Sequence, residues 1–156
     1  MTKAVLRTEL LAVLEAALET ARGAHAAAIE GATHAEAKAE NDKDTRGLEQ
    51  SYLARGVAQR VVDLENGVAD VARLELRTFG PDAPVAMSAL VTADEGGEEQ
   101  RFFLAPAGGG SVLTGGVQVL TTSSPLGRAL LGKRVDEEIE LKLPGKTRSL
   151  VISAIS

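Results

Sequence analysis

The chain has 156 residues, 44% of them apolar, yet only three Phe, one Tyr and no Trp; this is enough for one ordinary domain, or a small domain plus an extended element. A formal charge of −5, from 22 acidic and 17 basic side chains, argues against nonspecific duplex binding, which draws on many Lys and Arg contacts to phosphate; no direct sequence-specific DNA binding is expected either. Cys is absent, which excludes disulfides and thiolate metal sites; Glu9, Glu15 and Glu19 interrupt any signal-type apolar core, and no apolar run has membrane-spanning length, so the expectation is a cytoplasmic protein with no membrane partner.

Composition shifts along the chain. Ala, Leu, Glu and Arg dominate residues 1–76, whereas Gly, Pro, Thr and Ser collect in 77–156. The shift predicts two architectures, 1–76 and 77–156, joined near Arg77–Pro84.

Thr2 is placed to cap a helix that the periodicity carries to about Ile29. Leu11, Leu14, Leu18, Ala21 and Ala28 recur at heptad-like steps, widened by Leu6, Leu10 and Val13. Gly31 and Thr33 predict a break. His34 to Asp44 carry no large apolar side chain, which predicts an exposed connection. A second helix is expected from Thr45 or Arg46 to about Leu76, with Ala54, Val57, Val61, Leu64, Val68 and Val71 at alternating steps of three and four. Two helices of similar length, joined by a polar connection, fold back most simply as an antiparallel hairpin with its tip near 34–45. The same stripes would also serve a compact bundle; the scarcity of aromatics favours the thin seam of a hairpin.

Beyond Phe79-Gly80-Pro81 the period becomes two. Val85, Met87, Ala89 and Val91 predict a strand, Asp94-Glu95-Gly96-Gly97 a turn, and Gln100–Leu104 the returning strand. Val117–Leu120 also reads as a strand. Ser124-Pro125 then opens a short helix, with Ser124 as N-cap and Pro125 in the first turn, and Gly132 ends it. Strands follow over Glu137–Leu143 and Arg148–Ile155, turned by Pro144-Gly145. An antiparallel sheet with one short helix packed on it is the expected second half, making the whole α+β.

Few chemical motifs stand out. Gly108-Gly109-Gly110 and Gly115-Gly116 lack the Gly-Lys-Ser/Thr of a phosphate loop. His25 and His34 lie nine apart without a zinc pattern, and nothing resembles a nucleophile elbow. The region 30–49 gathers Glu36, Glu40, Asp42 and Asp44, carboxylates that serve either as a solvated polar loop or as weak Mg²⁺ ligands. Thr45 and Asp44 suit the start of the second helix equally well. Arg128, Lys133 and Arg134 cluster beside the Ser-Pro helix, either as a contact face or as solvated surface charge.

The stretch Ser124-Pro125-Leu126-Gly127-Arg128-Ala129-Leu130-Leu131-Gly132-Lys133, with Pro144-Gly145-Lys146, resembles the C-terminal domain of bacterial Gre-type transcript-cleavage factors, the GreA/GreB family. The resemblance implies an N-terminal coiled-coil hairpin over 1–76 and an FKBP-like β domain over 77–156. It implies bacterial RNA polymerase as partner, with the hairpin in its secondary channel and indirect contact with the nascent RNA 3′ end. It assigns Glu36, Glu40, Asp42 and Asp44 as tip carboxylates assisting cleavage, and Glu40 and Asp44 as ligands of a Mg²⁺ shared only with polymerase, with no tightly bound cofactor and no enzyme activity of its own. Arg128, Lys133 and Arg134 become the partner-binding residues. The family's tip pattern is an acidic residue, two others, then Glu-Asn; Glu40-Asn41 fits its second part, while Ala37 stands at the first acidic position with Glu36 one residue earlier. The alternatives are a channel-binding regulator that does not promote cleavage, and an FKBP-like isomerase or chaperone.

Overall fold

The computed structural model describes the backbone of residues 2–38 and 45–156, and the side chains of 2–31 and 53–156. Packing divides the chain into two units, Met1–Val13 with Ala69–Ser156, and Leu14–Val68.

Two long helices come first: α1, Lys3–Lys38, and α2, Thr45–Ala72. Thr2 caps α1 as expected, its hydroxyl accepting from the Val5 amide at 3.3 Å. The helix runs past the expected break at Gly31 and Thr33 and takes in His34 to Lys38. Local propensity explains this: Ala35, Glu36, Ala37 and Lys38 are strong helix formers, and one Gly costs only about 1 kcal/mol. α2 stops at Ala72 rather than Leu76, and the chain continues without regular secondary structure over residues 74–80.

Within the unit 14–68, Leu18 and Ala21 of α1 pack on Val61 of α2, flanked by Leu64 and Val68. Ala28 is buried too. The seam is thin because its members are small, and Leu53 and Val62 point to solvent. Leu11 and Val13, expected on the stripe, are half-buried and exposed respectively.

The other unit holds a six-stranded sheet. Its strands are β1 Leu90–Glu95, β2 Glu98–Leu104, β3 Val112–Leu113, β4 Val117–Leu120, β5 Glu138–Leu143 and β6 Lys146–Ile155, in the order β3-β4-β2-β1-β6-β5. Strand β1 starts five residues later than the alternation of Val85 to Val91 predicts. Ser88 is the reason. It adopts φ 73, is fully buried, and its hydroxyl accepts from the Arg77 amide at 2.9 Å. A residue in the left-handed region ends extended backbone, so Val85 and Met87 lie ahead of the strand. Val85 instead exchanges main-chain bonds with the end of the short helix, donating to Lys133 O at 2.8 Å and accepting from Gly132 N at 2.9 Å.

All neighbouring strands run antiparallel except β2 and β4, which are parallel. The sheet is therefore mixed, where an antiparallel one is expected from the sequence. The Gly-rich connection after β2 makes the parallel return: it leads into the two-residue β3, and a 3₁₀ turn over Thr114–Gly116 reverses the chain into β4. The helix α3, Pro125–Leu130, packs with Leu126 and Leu130 on one sheet face, against Val91, Phe102, Leu104, Leu150 and Ile152. Phe102 and Phe103 alternate to opposite faces, and both are fully buried. In the same unit the first turns of α1 contribute the fully buried Leu6 and Leu10. A side chain of this kind contributes about 1.5–3 kcal/mol when removed from water.

Candidate functional site

The local grammar of α3 is fulfilled in detail. Ser124 has extended backbone, and its hydroxyl accepts from Gly127 N at 3.1 Å while donating to Thr121 O at 2.8 Å. Pro125 occupies the first turn, where no amide donor is needed. Gly127 is buried against the loop that precedes the helix: a Cβ there would collide with the Thr121 carbonyl and lie 2.8 Å from the Ser124 hydroxyl. Gly132, with φ 79, turns the chain away after the helix. Ser, Pro and Gly are thus each required by a different contact of one tight corner.

This corner carries the three expected partner-binding cations. Arg128 is exposed in the last turn of α3; its amide donates to Ser124 O at 2.9 Å, and its guanidinium has no hydrogen-bonding or ionic partner among the described residues. Lys133 reaches Glu137, 3.9 Å from its carboxylate. Arg134 donates through Nε to Asp82 O at 3.0 Å, and its amide donates to Glu137 Oε1 at 3.2 Å. Two of the three are therefore tied back to the domain surface. Leu131, 38% exposed, adds an apolar member beside them.

Arg148, near this cluster in sequence, is used elsewhere. It donates through Nε and Nη2 to the two Glu95 carboxylate oxygens at 2.7 and 3.0 Å, on one sheet face with Gln100 and Gln118, which bond each other at 3.3 Å. The hydrogen bonds from Arg148 hold the Glu95 carboxyl below its usual range and raise the guanidinium's own value. Sequence reading missed this pair. Its members stand 53 residues apart, and only the register of β1 on β6 brings them together.

A third polar group surrounds Phe79. Lys3 Nζ lies 4.8 Å from the ring centroid and Arg77 Cζ 5.5 Å. Lys3 donates to the carbonyls of Arg77 and Ser156, and Arg7, one turn on, donates to Leu74 O at 2.8 Å. On the same helix, Glu9 accepts from both the amide and the hydroxyl of Thr114, at 2.8 and 3.0 Å. With Phe102 and Phe103 buried, Phe79 is the one Phe at the surface.

Of the expected tip carboxylates, Glu36 lies on α1, with its side chain outside the described residues. Glu40, Asp42 and Asp44 fall wholly outside them. Among the described residues no group of three or more His, Cys, Asp or Glu is arranged to hold a metal ion, and no helix is long and apolar enough to cross a membrane.

Residues 81–156, the span of the sheet and α3, match the family profile described as "Transcription elongation factor, GreA/GreB, C-term". That span is thus similar to the C-terminal domain of GreA/GreB factors. The chain is also similar to proteins named transcription elongation factor GreA. That of Zymomonas mobilis is 28% identical over 104 residues, and that of Sphingopyxis alaskensis 26% over 99 residues. Each match covers 64% of this chain and 61% of the relative's length. Among solved structures, GreA factor homolog 1 (Gfh1) of Thermus thermophilus is 21% identical, with 94% of both chains covered and a TM-score of 0.41. A GreA/GreB factor from Nitrosomonas europaea is 24% identical, with 69% of this chain and 91% of that one covered and a TM-score of 0.39.

Proposed function

We propose that this GreA/GreB-type protein is an accessory factor of bacterial RNA polymerase that acts in transcript elongation and is not itself an enzyme. The observation that carries the reading is the match of residues 81–156 to the GreA/GreB C-terminal domain, joined to two helices that pair through a heptad seam. The α3 corner, with exposed Arg128 and Leu131, is the docking face. The hairpin enters the secondary channel and presents Glu36, Glu40, Asp42 and Asp44 near the RNA 3′ end. These are hard oxygen donors, a set suited to Mg²⁺ rather than to a softer metal. A Mg²⁺ ion held between such carboxylates and polymerase supplies charge neutralisation and an activated water for phosphodiester hydrolysis. Glu40 and Asp44 are assigned as its ligands.

The test uses backtracked polymerase complexes with Mg²⁺. The protein should co-elute with core polymerase and release short 3′ RNA fragments, and Glu40→Ala should abolish release without weakening co-elution. Undiminished release by that variant rejects the site assignment. Ala37, standing where the family pattern has an acidic residue, favours a second reading: a regulator that occupies the channel without promoting cleavage. Co-elution with no fragment release selects that reading, and failure to co-elute rejects both.

A further inference from the structure

Gly23 of α1 and Gly56 of α2 lie inside long helices without a packing role: a Cβ built on either would meet nothing within 4 Å. Ala24 and Val57, their neighbours along the chain, line one open groove of about 410 Å³ with Ala17, Thr20 and Arg60, so the two glycines sit at one level of the helical pair. Burial lapses at that level. The inner seam of Leu18, Ala21 and Val61 ends there, and outward of it the only apolar side chain buried among the described residues is Ala28. Ile29 and Leu53, which are larger, remain 47% and 54% exposed.

We propose that this level is a yield point. The outer turns, 24–38 of α1 and 45–56 of α2, open and close as one unit while the inner seam stays folded. Glycine loses more backbone freedom on entering a helix than any other residue, and neither glycine gains a contact that offsets the loss. Helix growth is cooperative, so a break falls where a weak link in each helix stands beside its counterpart. Few buried apolar contacts oppose it, which is the signature of low local stability. Ile29 and Leu53 already face solvent, so opening adds little unburied apolar surface. The pair thus has a firm base and an end that a partner gripping the outer turns must hold closed, by selection among states already present in the free chain.

Native-state hydrogen exchange on the full chain, resolved residue by residue, tests this. After correction for intrinsic rates, amides 26–30 of α1 and 53–56 of α2 should share one opening constant, at least about tenfold larger than that of amides 14–18. Gly23→Ala should slow the outer amides of both helices about fivefold, the equivalent of about 1 kcal/mol, and Gly56→Ala should do the same. Ala16→Gly, the reverse change made inward of the level, should leave the outer amides as they were. Slowing confined to the helix that carries the substitution shows two independent frayings and overturns the proposal. So does equal protection of amides 14–18 and 26–30 in the unmodified chain, or acceleration of the outer amides by Ala16→Gly.

Discussion

The sheet and the helical pair are stabilised on different scales. The sheet unit encloses Phe102, Phe103, Leu104, Leu130, Leu150 and Ile152 without exposure, with α3 packed on one sheet face. The unit 14–68 rests on Leu18, Ala21 and Val61, each of which retains 4–8% exposure. A fully buried core loses its whole transfer free energy when one large residue is removed, and a cavity penalty is added. A single seam offers each side chain fewer neighbours and relaxes more readily. Sequence positions with similar hydrophobicity therefore carry unequal weight.

The sharpest test of that contrast is Phe102→Ala, expected to cost about 3–5 kcal/mol. Urea unfolding followed through a reporter on the sheet unit should show the loss. A cost near 1 kcal/mol would mean that the sheet interior is as forgiving as the seam. Leu18→Ala should cost less, about 2 kcal/mol, the low end for Leu truncation, and appear as reduced helical circular dichroism at moderate temperature. A larger loss for Leu18 than for Phe102 would invert the ranking of the two units.

Ser124→Ala is smaller again, about 1 kcal/mol, the usual value of an N-cap. It also removes the hydroxyl's bond to the Thr121 carbonyl, leaving only that from the Ser124 amide, so amide exchange of the α3 turn should quicken more than that of β2. The smallest effect separates packing from charge. Glu95 is held below its usual value by Arg148, so the pair's contribution is fully present above the unfolded carboxylate value. It disappears as pH falls through the lower, folded value. Stability of the sheet unit should therefore decline on acidification below about pH 4, where unfolded Glu titrates. Arg148→Ala should remove part of that decline at a cost of about 0.5 kcal/mol at neutral pH, as for a partly exposed ion pair. An unchanged acid limb in the variant would assign the decline to other carboxylates.

The parts of this fold that could be read from sequence were those governed by near neighbours along the chain. Ser124, Pro125 and Gly132 define a helix start and stop within ten residues, and each performs the expected role; the close packing of Gly127 on the Thr121 carbonyl was not foreseen. The turn at Asp94–Gly97 and the seam of Val61, Leu64 and Val68 were legible for the same reason, since period and turn chemistry are local. What escaped depended on distant partners. The late start of β1 follows from Ser88 meeting Arg77, the parallel pairing of β2 with β4 from a long glycine-rich return, and the Glu95–Arg148 and Lys3–Phe79–Arg77 groups from strand and helix placement. The basic cluster was visible as composition, but not that Glu137 and Asp82 engage Lys133 and Arg134. Glu40, Asp42 and Asp44 lie outside the described residues, so their assignment rests on sequence.

The order of the strands has a last consequence. One border of the sheet is β3, only two residues long, and the other is β5, whose Glu138, Glu140 and Lys142 are exposed and charged. Neither border offers a long apolar template on which a foreign strand could grow. The sheet's own borders therefore work against edge-to-edge growth.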